Sequence, residues 1–190
     1  MTELNRKTKE TDIKCQVDIC GNGTSSINTG IGFFDHMLEA LSKHSGIDIT
    51  LECKGDLHID FHHSVEDCGI VLGKALKKEI FPIEKVERYG NATVVMDEAA
   101  TTCALDLSNR PFLVFEVNVT GKVGEFDTEL VEEFFNALVM NSGITCHLIQ
   151  DRGRNKHHII EASFKAFAVA LRRALAKNEK LGIPSTKGVL

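Results

Sequence analysis

His62-His63-Ser64-Val65-Glu66 recurs as His157-His158-Ile159-Ile160-Glu161, a shift of 95 in a chain of 190 residues. One such cluster is weak evidence, because an exposed polar helix start looks the same. The second copy brings neighbours with it: Ala75 and Leu76 fall opposite Ala170 and Leu171. Residues 34–47 match 131–144 at a shift of 97, repeating Ala40, Leu41, Ser45, Gly46 and Ile47 as Ala137, Leu138, Ser142, Gly143 and Ile144. Residues 10–19 match 98–107 at a shift of 88, pairing Glu10 with Glu98, Cys15 with Cys103 and Asp18 with Asp106. Three blocks in the same order make the chain an internal duplication. The changing shift puts nine extra residues around 119–126 of the second half and two fewer in its later hairpin.

Each copy reads as strands, helix, strands, helix. Alternation in Ile13–Ile19 and Cys103–Leu107 predicts half-buried strands. Phe112–Val119 alternates less cleanly, but its β-branched and aromatic content favours a strand. Phe34, Met37, Leu38 and Leu41 keep helical spacing, as do Val131, Phe134, Phe135 and Leu138. Both helices stop at Ser-Gly, with Gly46 and Gly143 available for a left-handed cap. Val65, Cys68, Leu72 and Leu76 form the buried stripe of the helix that carries the first cluster. The expected fold is α+β: a two-layer sheet/helix sandwich of two pseudo-equivalent halves, about 1–87 and 88–183, within one domain over 1–190. Residues 184–190 read as a tail.

Bulk properties exclude more than they assign. A net charge of −5 leaves no electrostatic footprint for nucleic acid. No apolar run approaches the roughly 18 residues that span a bilayer. The polar start Met1–Glu10 lacks the apolar stretch of a signal peptide, and six cysteines without a C-x-x-C pair suit reduced thiols. The expectation is a cytoplasmic protein with neither nucleic acid nor membrane as partner.

On a helix, residues four apart lie about 40° from each other on one face, so His62 and Glu66 can chelate one ion. His63, turned about 100° from His62, must look toward another ion or another element. The same holds for His157 with Glu161, and for His158. Imidazole and carboxylate donors without thiolate suit Mn, Fe, Co, Ni or Zn rather than a structural zinc knuckle. At the shift of 97, His36 corresponds to Glu133. Approximate two-fold symmetry then suggests two sets: His62, Glu66, His158 and Glu133; and His157, Glu161, His63 and His36. Whether each comes from one chain or several is not readable from the sequence.

Other residues signal less. Arg88 and Arg110, with Ser185, Thr186 and Lys187 of the tail, are candidates to hold a phosphate. Glu10 precedes the first alternating strand and is ambiguous alone. His58 is a candidate carboxylate partner behind a ligand, His147 faces solvent on a strand, and His44 sits at a helix end that favours a cation. Asp97 and Glu98 have no assigned role. These residues fit a two-metal enzyme, a two-metal phosphohydrolase or a metal-buffering protein.

Longer motifs narrow the choice. Arg6–Thr11, Gly32–Met37, Gly55–Asp67, Arg88-Tyr89-Gly90, Met96–Ala99, Ser108–Pro111, Asn155–Ala162 and Pro184–Gly188 occur in the order seen in one family. With them the chain resembles the imidazoleglycerol-phosphate dehydratases of histidine biosynthesis, nearly end to end. The resemblance implies two Mn(II) ions per active site, bound by His36, His62, His63, Glu66, His157, His158 and Glu161. Some members carry His where this chain has Glu133, and a carboxylate also ligates Mn(II). It implies a repeated sandwich in a homo-oligomer of about 24 subunits with active sites at subunit interfaces. The implied reaction is dehydration of a small phosphorylated imidazole, imidazole glycerol phosphate, to imidazole acetol phosphate. It would pass through a metal-bound imidazolate and a diazafulvene. Glu10 would act as general base, and Arg88, Arg110, Ser185 and Lys187 would hold the phosphate.

Overall fold

The computed structural model describes residues 1–186. The first half runs β1 (Thr2–Lys7), β2 (Thr11–Asp18), β3 (Ser25–Asn28), α1 (Gly32–Ser45), β4 (Asp48–Gly55) and α2 (His62–Ile80). The second repeats it as β5 (Tyr89–Met96), β6 (Ala99–Asp106), β7 (Phe112–Glu116), α3 (Leu130–Ser142), β10 (Thr145–Arg152) and α4 (Lys156–Ala174). Its insertion is a small hairpin, β8 (Lys122–Val123) and β9 (Phe126–Asp127).

The duplication is visible in the hydrogen bonding. The sheets have the orders β1-β2-β4-β3 and β5-β6-β10-β7. Ile13 pairs with Arg6 and Cys53; Thr101, its counterpart, pairs with Val94 and Gln150. These are the same registers carried forward by the sequence shifts. β3 and β4 are parallel, so a helix must cross between them, and α1 does; α3 does the same between β7 and β10.

Each half is the expected two-layer sandwich. Side chains of Ile13, Cys15 and Val17 on β2, and of Cys103 and Leu105 on β6, point inward and are buried. The helices of the two halves then face each other, α2 on α3 and α1 on α4, so the molecule reads sheet, helices, helices, sheet. Phe34, Phe134, Phe135, Phe164 and Phe167 fill the centre, each fully buried. Their ring pairs, such as Phe135–Phe164 at 4.8 Å, add about 0.5–1.5 kcal/mol each beyond area burial.

Gly46 and Gly143 close α1 and α3 in the left-handed region, at φ 75° and 77°, as their Ser-Gly endings predict. One expectation fails. The segment between α1 and α2 holds a single strand, β4, followed by turns, not a hairpin. Ile59 and Asp60 are exposed there, and Asp60 instead accepts the backbone N–H of His62 at 2.8 Å. No helix among the described residues is long and apolar enough to cross a membrane.

Candidate metal centre and anion pocket

Both His-His clusters occupy the first turns of α2 and α4, where free backbone N–H groups need acceptors. Asn155 Oδ1 accepts from His157 and His158, at 3.0 and 3.5 Å, as Asp60 does for His62. The equivalent polar residue therefore stands just ahead of each helix, at the cap position in α4 and one residue before it in α2, and fixes where the imidazoles emerge.

Because α1 packs on α4, His36 from the first half meets His157 and Glu161 from the second. Their potential ligand atoms all lie within 4.8 Å of one another, the one such group of three among the described residues. Glu161 Oε2 is 3.0 Å from His157 Nε2 and 3.6 Å from His36 Nε2. The other oxygen, Oε1, is held by Lys165 Nζ at 2.6 Å. Burial pushes the Glu161 carboxyl up, yet Lys165 and the imidazoles outweigh it, and the group stays ionised below its ordinary value. Phe33 and Phe126 wall one side, with the Phe33 ring 5.1 Å from that of His157. Phe126 comes from the inserted hairpin, so the extra residues of the second half back the Phe33 ring beside this site.

Two nitrogens and one carboxylate oxygen on rigid helices match the donor set of a divalent first-row metal. Glu161, buried and aimed at two imidazoles, is what such an ion requires.

The other half is less assembled. His62 Nε2 and Glu66 Oε2 stand 3.8 Å apart, while Glu133 is half-buried in the first turn of α3 and forms no three-ligand group with them. His63 and His158 turn away from both pairs, as the helical angle requires. His63 Nδ1 meets Asp56 at 3.0 Å, with Glu10 3.9 Å from its Nε2. His158 Nδ1 meets Glu98 at 2.8 Å, with Asp97 3.9 Å from its Nε2. The four-residue sets read from symmetry are therefore not completed within one chain: His63 does not join His36, His157 and Glu161, and His158 does not join His62 and Glu66.

Hydrogen bonding holds the Asp56 carboxyl below its ordinary range and raises the His63 imidazole. Glu98, also accepting from the backbone of Arg154 and Asn155, is lowered to about 2. His58, expected behind a ligand, is exposed and Asp56 takes that place. His147 is exposed, as expected. His44 departs from expectation: burial, with Lys165 and Arg172 nearby, lowers its pKa despite the helix end.

A cavity of about 790 Å³ opens at the far end of α4 and brings together Arg88, Arg110, Ser185 and Thr186, beside Tyr89 and Ser108. Lys187, the fifth predicted anion ligand, lies outside the described residues. Arg88 binds Asp106 with two donors, at 2.7 and 3.0 Å, and the carbonyl of Pro184 with a third at 2.6 Å. Two of its five N–H groups remain for an anion, and the tail is tied to the cavity rim. Its backbone sits at φ 70°, a strained conformation for a branched-out side chain, which such local bonds sustain.

Sequence reasoning did not name Lys165, Asp56 or the Phe33/Phe126 wall. The i, i+4 spacing of Glu161 and Lys165 was a readable signal; the other two depend on tertiary packing.

Comparison with known proteins gives a consistent picture. The family described as imidazoleglycerol-phosphate dehydratase matches residues 29–171. An imidazoleglycerol-phosphate dehydratase of Aliarcobacter butzleri is 82% identical, and one of Campylobacter hominis 67%, each over the full length of both chains. Among solved structures, the imidazoleglycerol-phosphate dehydratase of Staphylococcus aureus superposes with a TM-score of 0.84 at 41% identity, covering 93% of this chain and 98% of its own. The Pyrococcus furiosus enzyme in complex with (S)-C348 gives 0.84 at 38% identity, covering 98% and 100%.

Proposed function

This chain belongs to the imidazoleglycerol-phosphate dehydratase family, and we propose that it carries out the family's dehydration with two Mn(II) ions per active site. The enzyme is a hydro-lyase of histidine biosynthesis. Its substrate carries an imidazole ring on a three-carbon chain ending in phosphate. The hydroxyl on the carbon next to the ring leaves, the neighbouring carbon gives up its proton, and the resulting enol becomes the ketone of imidazole acetol phosphate.

That proton is not acidic in the free substrate, so the ring must accept charge. A divalent ion such as Mn(II), held at the His and Glu clusters, would supply Lewis-acid stabilisation of negative charge on the ring. His36, His157 and Glu161 would hold one ion; His62, Glu66 and Glu133 would contribute to the other. His63 and His158 present Nε2 outward and would complete the sets of neighbouring copies. Glu10, exposed in the β1–β2 turn and 3.9 Å from His63 Nε2, takes the proton as general base. Arg88, Arg110, Ser185, Thr186 and Lys187 bind the phosphate.

The convergence of His36, His157 and Glu161 carries this reading. A second observation favours sites shared between copies. Glu161 and the anion cavity lie near opposite ends of α4, and Glu161 to Ala174 alone is about 20 Å of helix rise. A five-membered ring on a three-carbon phosphate chain cannot reach that far. The reading therefore takes the working form as a homo-oligomer, of about 24 subunits and in the cytoplasm if it follows its family.

The test is turnover of imidazole glycerol phosphate by metal-stripped protein with and without added Mn(II). Glu10→Gln should bind metal and substrate nearly normally while kcat falls at least about 10²-fold. Full activity in that variant would remove Glu10 from the mechanism, and metal uptake without any turnover would favour a buffering role.

A further inference from the structure

Glu10 and Glu98 are equivalent by the duplication, each in the turn between the first two strands of its half. Each stands beside the second histidine of its own half's cluster, but on opposite sides of the ring. Glu98 meets His158 on Nδ1 at 2.8 Å, whereas Glu10 faces His63 from the Nε2 side at 3.9 Å. The Nδ1 of His63 is already taken by Asp56, at 3.0 Å. Carried forward by the register that matches Cys53 with Gln150, Asp56 falls opposite Gly153, which has no side chain to orient His158.

We infer that Asp56 and Glu98 are positioning residues that fix the Nδ1–H tautomers of His63 and His158 and aim both Nε2 atoms outward, and that Asp56 thereby frees Glu10 for proton transfer. The inference rests on the two-metal reading above. An imidazole that ligates through one nitrogen commonly donates its other N–H to a carboxylate, which sets the ring tautomer and orientation. Both outer histidines show that arrangement, built from non-equivalent positions. Asp56 has little else to do: its other oxygen is buried without a hydrogen-bond partner among the described residues. Glu98 is pinned further, since its Oε1 accepts from the backbone N–H groups of Asn155 and Arg154 at 2.7 and 3.1 Å. A carboxylate with three such bonds is immobile and poorly suited to follow a substrate proton. Glu10 is free because Asp56, from its own half, orients His63 in its place. The duplication thus yields two similar histidines and only one base.

The test uses the full-length assembled protein, stripped of metal and titrated with Mn(II) by calorimetry, with bound metal counted by elemental analysis. Glu98→Gln keeps an oxygen for the two backbone donors but loses the charged acceptor, and Asp56→Asn does the same for His63. Each should weaken uptake of one class of ion by about 10–100-fold, leave the thermal midpoint of the metal-free protein near that of the parent, and recover most turnover in excess Mn(II). Glu10→Gln should show the opposite: ordinary uptake and no recovery. Parent-like Mn(II) affinity in both Asp56→Asn and Glu98→Gln would overturn the inference alone. Loss of turnover in Glu98→Gln that excess Mn(II) does not restore would also overturn it, by making Glu98 part of the chemistry. If the unsubstituted protein takes up no Mn(II), the two-metal reading falls and the inference falls with it.

Discussion

The two halves share strand order and register, yet they fasten sheet to helix by different physics. In the first, Asp67 of α2 accepts from Arg6 on β1 and from Thr11 at the start of β2. The equivalent positions of the second half are Ala162, Val94 and Ala99, which pack as apolar groups. The helix pairs differ as well. Gly69 and Gly73 let the backbone of α2 lie against α3, where an added Cβ at Gly73 would sit 2.5 Å from the carbonyl oxygen of Leu138. Their counterparts on α4 are Phe164 and Ala168, and the Phe164 ring occupies the centre against Phe134 and Phe135. The topology therefore does not dictate the means. Once register and burial are right, a charged network and an apolar patch serve the same joint.

The strongest test of that equivalence is at Asp67. Asp67→Ala strands a guanidinium that is about a third exposed and leaves the Thr11 hydroxyl with only Thr8 as partner. Allowing for partial hydration of Arg6, stability should fall by about 2–3 kcal/mol, measured by urea denaturation. The triple change Arg6→Val, Thr11→Ala and Asp67→Ala writes the second half's solution into the first. It should come back to within about 1 kcal/mol of the parent, because removing a whole buried ionic network is often nearly neutral. If the triple variant is as unstable as the single one, the two joints are not interchangeable.

The helix pairs should respond more weakly, and for opposite reasons. Gly73→Ala forces the Leu138 backbone to give way at a cost of about 1–3 kcal/mol, against roughly 1 kcal/mol regained in helix propensity. The expected net loss is about 0–2 kcal/mol. Ala168→Gly, at the equivalent place, loses about 1 kcal/mol of propensity and about 0.8 kcal/mol from a fully buried methyl group. A more stable Gly73→Ala protein would mean that α2 and α3 can separate freely, and the close approach would lose its significance.

This comparison also locates what the sequence made legible. Spacing exposed the duplication, the capping glycines and the divergence of His62 from His63, because each depends on a local period. It also paired His36 with Glu133 before any packing was known. The partners of the outer histidines were not legible. Asp56 reaches His63 from seven positions away through a turn read as a hairpin, and Glu98 reaches His158 across 60 positions. Nor did any pattern reveal that α1 would meet α4 rather than α2, and it is that packing across the halves that gathers His36, His157 and Glu161. Local chemistry was readable, and the choice of partner rested on tertiary structure.

The smallest expected difference lies in the loops that lead to β3 and β7. Asp48 Oδ1 accepts from the backbone N–H groups of Asn22 and Thr24, at 2.9 and 2.7 Å, and closes the first of these loops. Its counterpart Thr145 donates to the carbonyl of Arg110 at 2.7 Å, so the second loop is closed by a hydroxyl. The bonds from Thr24 and Asn22 hold the Asp48 carboxyl below its ordinary 3.8. A lowered carboxyl contributes its full stabilisation above the unfolded-state value and loses it as pH falls through the folded-state value. Amide exchange, corrected for its intrinsic pH dependence, should therefore show protection of Asn22 and Thr24 falling below about pH 4. The amide of Arg110, which donates to the Ser108 hydroxyl at 3.3 Å, should hold its protection over the same interval. Asp48→Thr copies the second half's residue and should abolish the pH dependence in the first loop. If protection of Asn22 and Thr24 still falls with acid in that variant, a carboxylate other than Asp48 controls the loop.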